Sequence, residues 1–156
     1  MTKKKIEKDQ VTHYTISVDN YEYYYHFGKK WSPRIFEEEY EDLDESNCIT
    51  IFGYMAKESD DKKVSKDYKV EFNIRPSYVF GKHNTKIEYW GYGERNRNTE
   101  ILRLSMSVPK DSFSNILEML SANKVKFITI CGLSLKYNKT RIKNFSLHTY
   151  LDPEDY

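Results

Sequence analysis

Two histidines, His13 and His26, flank the dipeptide Asp19–Asn20, and a two-residue turn there sets them across from one another on paired strands. Facing imidazoles can share one metal ion. Glu22 lies four residues before His26 on the same face but is badly placed as a third ligand, and a stable site needs three ligands held by further contacts. His13 and His26 are therefore weak metal candidates, and no metal or other cofactor is expected.

Catalytic patterns are missing. The chain has no G-x-S-x-G, H-E-x-x-H or C-x-x-C motif and no glycine loop that would cradle phosphate. "GYG" at 91–93 is a lone glycine pair beside aromatics, and His83 and His148 fall in unrelated segments without a marked Ser or Cys partner. Acid–base work needs carboxylates whose environments push their pKa values apart. The carboxylates here are bunched in a run that water must solvate. A non-enzymatic protein is expected.

Charge clustering is the most distinctive feature. "EEEYEDLDE" joins Glu37, Glu38, Glu39, Tyr40, Glu41, Asp42, Leu43, Asp44 and Glu45 with no base among them. From Met119 to Leu151 the sign reverses, with Lys124, Lys126, Lys136, Lys139, Arg141 and Lys143 and no acid. Such blocks steer oppositely charged partners. The acidic block reads as a docking segment, with charge for encounter and Tyr40 and Leu43 as desolvated anchors. Arg95 and Arg97, in "GERNRN" at 93–98, mark a hairpin tip that would join the same contact surface. The expected function is a protein–protein interaction module that occupies a basic surface of its partner, such as an inhibitor, immunity or accessory factor. The alternative is nucleic-acid binding through Lys136, Lys139, Arg141 and Lys143 with the 93–98 loop.

These residues need a scaffold. With 156 residues, 31% charged residues and a net charge of +1, the chain fits one domain with a real core and no global attraction to nucleic acid or membrane. Its N-terminus has lysines but no apolar stretch behind them, which points away from secretion and towards the cytoplasm. Cys48 and Cys131 are then expected to be reduced, buried thiols. Abundant Lys, Ile, Asn and Tyr with only two alanines is the composition of AT-rich coding, as in phages and mobile elements.

Period-two alternation dominates. Tyr68, Val70, Phe72 and Ile74 form one stripe, and Leu102, Leu104, Met106 and Val108 form another. "CITIFGYM" at 48–55 and "KIEYWGY" at 86–92 are strand-like, and "KVKFITICG" at 124–132 reads as a central strand. A last hairpin is expected from "LSLKY" at 133–137 and "TRIKNFSLHTYL" at 140–151, with "NK" as its turn and a parity slip near Lys143–Asn144. Phe113, Ile116, Leu117 and Leu120 recur at helical spacing, so a helix is expected over about 110–122, with Pro109 at its entry and Asn123 at its stop. Residues 33–45 are either a second helix or an acidic loop.

The expected architecture is an antiparallel β-sandwich of about eight or nine short strands over 11–151, with that helix inserted between late strands. Residues 1–10 form a basic arm and 152–156 a tail. In the hairpin register set by Asp19–Asn20, Tyr14, Ile16 and Val18 share a buried face with Tyr21, Tyr23 and Tyr25. Most of the tyrosines thereby become core, leaving Tyr24 and Trp31 outside.

Overall fold

The computed structural model describes residues 10–29, 43–77 and 89–151. The strands run β1 (Val11–Lys29), β2 (Leu43–Met55), β3 (Lys69–Ser77), β4 (Gly91–Asn96), β5 (Ile101–Pro109), β6 (Phe127–Leu133) and β7 (Lys139–His148), with helix α1 (Lys110–Ser121) between β5 and β6. Residues 1–9, 30–42, 78–88 and 152–156, which hold the basic arm, the start of the 86–92 segment, nearly all of the alternative helix and the tail, lie outside the described residues.

The sandwich expectation is corrected. All seven described strands belong to one sheet, in the order β1-β2-β3-β5-β4-β7-β6, and β6 closes the ring on β1. Only β3 and β5 pair in parallel. Alternation reports which face of a strand is buried, but not whether that face meets a second sheet or curls onto its own.

The apolar stripes point into the ring as expected. Val70, Phe72 and Ile74 pair with Leu102, Leu104 and Met106, and all six are buried. Tyr14, Ile16, Ile49, Ile51, Ile128, Ile130 and Ile142 complete the same core. Helix α1 adds Phe113, Ile116 and Leu120. Burial of side chains of this kind contributes roughly 1.5–3 kcal/mol each relative to exposure. Pro109 holds the entry with φ −55° and ψ 149°, and Asn123, at φ 55°, stops the helix with its N–H donating to the Leu120 carbonyl. The parity slip near Lys143 is a β-bulge: Cys131 faces Asn144 and Gly132 faces Ile142, so Lys143 is passed over.

The expected hairpin at Asp19–Asn20 is also corrected. β1 continues through this dipeptide as a single strand of 19 residues, with a register shift against β2 between Val18 and Asn20. An inserted bulge residue moves the inward parity from even to odd numbers, as a two-residue turn does. The apolar pattern therefore fits both. β2 accommodates the shift with Gly53, where a Cβ would run into the Ser17 carbonyl.

Because β1 runs on, its later rings outrun the core. Tyr21 packs against the core, but Tyr23, Tyr24, Tyr25 and Phe27 are exposed. Tyr23 touches only the fringe, its ring 6.2 Å from that of Phe113. The buried-tyrosine expectation therefore holds for Tyr14 and partly for Tyr21, and fails for Tyr23 and Tyr25.

Candidate nucleic-acid interface

The C-terminal lysines acquire their arrangement from β7. Thr140 and Ile142 turn inward, which leaves Lys139 and Arg141 on the outer side. β4 lies alongside, pairing Tyr92 with Arg141 and Glu94 with Lys139. Gly93 between them packs where no side chain fits: a Cβ would lie 2.5 Å from Leu104 Cδ2 and 2.8 Å from Thr140 Cγ2. The "GYG" motif thus lets β4 sit close to its neighbours while Tyr92 projects outward.

Between β6 and β7 the chain reverses through Tyr137 and Asn138, with φ 53° and 62°, closed by reciprocal backbone bonds between Lys136 and Lys139 of 2.9 and 3.0 Å. Two consecutive positive φ values define the tight turn that matches strand twist, usually made by Asn-Gly. Asn tolerates this region. Tyr does so at a cost of about 1–2 kcal/mol.

Polar contacts hold the turn from below. Asn138 Oδ1 accepts from Arg95 through Nε at 3.2 Å and an Nη atom at 2.8 Å, and from Arg97 Nε at 3.2 Å. The Arg95 backbone N–H donates to the Asn138 carbonyl at 2.8 Å. Arg95 also donates to the Lys63 carbonyl, and the Lys63 ammonium donates to the Leu135 carbonyl. Asp61 fastens the same loop, accepting from the Leu135 N–H at 3.2 Å and from Ser59 Oγ at 2.6 Å.

Together these elements frame an open concavity of about 1000 Å³, whose lining includes Lys63, Tyr92, Glu94, Lys136, Tyr137, Lys139 and Arg141. Four cations face one carboxylate. Tyr137 and Tyr92 stand at 89% and 67% exposure, unusually open for rings of that size. Arg141 and Lys143 also lie 5.6 and 5.8 Å from the centre of the Tyr89 ring, within cation–π range.

The structure therefore gathers Lys136, Lys139 and Arg141 at one site. Lys143 is half-buried at the bulge beside Tyr89, outside that lining. Arg95 lies within β4 and its guanidinium is engaged internally, while Arg97 opens the turn to β5. Of the acidic block, residues 37–42 lie outside the described residues; Leu43, Asp44 and Glu45 open β2, and Glu45 is exposed opposite Phe27.

The histidine pair is corrected. His13 and His26 lie on one strand, separated by roughly 40 Å at about 3.3 Å per residue. His13 bonds Asp60 Oδ2 through its backbone N–H at 3.0 Å and through Nδ1 at 2.9 Å, while His26 faces Ser46. Among the described residues no three metal-ligating side chains cluster.

Sequence reasoning did not place Tyr92, Tyr137 or Lys63 at the site. Tyr-Asn between two lysines was the available signal for Tyr137, since a two-residue loop there must push its first side chain into solvent. No protein-family model, curated protein or solved structure matches the chain.

Proposed function

We propose that the protein binds single-stranded nucleic acid, without catalysis, in the concavity between β4, the β6–β7 turn and the 56–68 loop. The observation that carries this reading is the placement of exposed Tyr92 and Tyr137 among Lys63, Lys136, Lys139 and Arg141. Cations along a groove track phosphates, and open rings between them offer stacking surfaces to any base. Bases are free to stack in this way only when they are unpaired, which favours a single strand over a duplex.

The test is titration of a labelled single-stranded oligonucleotide, read by fluorescence anisotropy at several salt concentrations. Each neutralised phosphate on a single strand contributes about −0.7 to the slope of log K against log salt, so engagement of the four cations gives a slope near −3. A missing salt dependence, or equal affinity for a duplex of the same length, defeats the reading.

Docking of the acidic block onto a basic protein surface is the competing proposal. It rests on the sequence of residues 37–45. Reversing the charges of Glu37, Glu38, Glu39 and Glu41 would weaken capture of such a partner without altering the melting curve, and would leave oligonucleotide binding through the concavity in place.

A further inference from the structure

The far end of β1 forms a second exposed surface with a different character. Among the described residues, β6 accompanies β1 only through Ser17, and Val18 makes a last backbone bond to the Lys126 carbonyl at 2.9 Å. On the other side, the β3 ladder starts at Ile49. From Tyr24 opposite Cys48 to Lys29 opposite Leu43, β1 and β2 therefore pair only with each other among the described residues, as a two-stranded ribbon. Such ribbons are marginal in water by themselves. This one carries Tyr23, Tyr24, Tyr25 and Phe27 at 44, 57, 52 and 59% exposure, so both of its faces are aromatic.

This edge of β1, unpaired among the described residues, also lacks the usual protection. Residues 20–28 contain no proline and no lysine, the residues that commonly discourage a free edge from pairing. Nucleic acid does not suit it, because Asp19, Glu22 and Glu45 are exposed carboxylates among its described side chains.

The segment is instead complementary to itself. When two copies run antiparallel about Tyr24, Tyr23 faces Tyr25, Tyr21 faces Phe27 and Glu22 faces His26, each twice. The ends of the same register set Asp19 against Lys29 in sequence. Shifting the centre to Tyr23 or Tyr25 sets Glu22 against Tyr24 or Gly28 and removes the charge match. Directly opposed side chains share a face, so the centred register stacks a continuous aromatic ladder on one side and places the acid–base pairs on the other.

We propose that the protein forms a twofold homodimer by antiparallel pairing of β1 residues 20–28 with the same residues of a second copy. The two ribbons then become one four-stranded sheet, β2-β1-β1-β2, which pairs the β1 edge of each copy and packs the rings of the two copies side by side in one ladder. The contact is isologous, as a closed dimer requires. It lies at a different part of the chain from the cationic concavity and does not depend on what that concavity holds.

Sedimentation velocity of the full chain over a concentration series tests this. The expected result is a reversible monomer–dimer equilibrium, lost in Tyr24→Lys, which places a charge on the twofold axis. His26→Glu alone weakens association by about tenfold, as carboxylates come into opposition at two symmetric positions, and Glu22→Lys alone weakens it by removing the carboxylate that accepts from the His26 ring. The double variant Glu22→Lys/His26→Glu returns to within about threefold of the parent, since the exchange restores the pairing. Should Tyr24→Lys fail to fold, the two exposed single variants and their exchange decide the matter. A chain that stays monomeric at about 1 mM overturns the proposal. So does a dimer that survives Tyr24→Lys, or an exchange that rescues nothing.

Discussion

The guanidinium of Arg95, on β4, donates through both Nε and an Nη atom to Oδ1 of Asn138, the second residue of the β6–β7 turn, at 3.2 and 2.8 Å. This contact, with the Arg95 N–H bonded to the Asn138 carbonyl, keeps the preceding Tyr137 in a backbone region that its side chain disfavours. Strain of this kind persists where the surroundings over-determine it, and it collects at working sites.

Tyr137→Gly therefore separates stability from binding. Glycine relieves the positive φ, so unfolding free energy rises by about 1 kcal/mol in a urea titration. Oligonucleotide affinity falls by about 1–3 kcal/mol in the anisotropy assay, because the stacking ring is gone. Opposite signs for the two measurements are the expected outcome; loss of stability together with unchanged affinity counts against a binding role for the ring.

Alanine at Lys136, Lys139 and Arg141 together flattens the salt dependence. Removing three phosphate contacts lowers the magnitude of the slope by about 2 and weakens binding uniformly across oligonucleotide sequences. Far-UV circular dichroism stays unchanged, since all three side chains are exposed.

Gly93→Ala unfolds the site from within. Its added methyl group has to displace Leu104 and Thr140, both buried, so a destabilisation of about 1–3 kcal/mol is expected in chemical denaturation. Oligonucleotide binding falls along with it, as β4 moves Tyr92 away from Arg141.

Tyr14 sets the alkaline limit of the fold. Its phenol is fully buried, and burial, reinforced by the nearby Asp61 carboxylate, holds its pKa well above the ordinary value of 10.0. The charged form is thus disfavoured in the native state. The resulting stability is complete below the unfolded pKa of about 10 and is lost as pH rises beyond it towards the folded value. Tyr14→Phe has near-parent stability at neutral pH and a shallower fall in Tm above about pH 10. Burial raises Tyr68 in the same sense, so part of the alkaline slope remains.

Much of the fold was legible because alternation encodes burial directly. The stripes of β3 and β5, the helix from Lys110 and even the bulge at Lys143 follow from the order of apolar residues. The last hairpin, by contrast, turns at Tyr137–Asn138, one residue earlier than expected, and its first arm is β6 rather than residues 133–137. Closure of the ring was not legible, since the same stripe fits a sheet packed on another sheet. The Asp19–Asn20 dipeptide misleads for a sharper reason: a turn and a bulge flip parity identically, and only the partner strand decides between them. At the candidate site, the lysines were visible as a sequence block. The tyrosines were not, because Tyr92 lies on β4 and Tyr137 in the β6–β7 turn, and only the pairing of β4 with β7 brings them together in three dimensions.

Closure of the ring joins Thr12 to Gly132 and Tyr14 to Ile130, so the earliest strand made waits for one of the latest. Contacts so distant along the chain require a large loop to be closed before they contribute anything, which slows folding. During synthesis β1 can zip onto β2 early, but its other edge stays bare until residue 133 has left the ribosome. The interval before the barrel shuts is the stage at which the nascent protein most needs shielding from its neighbours.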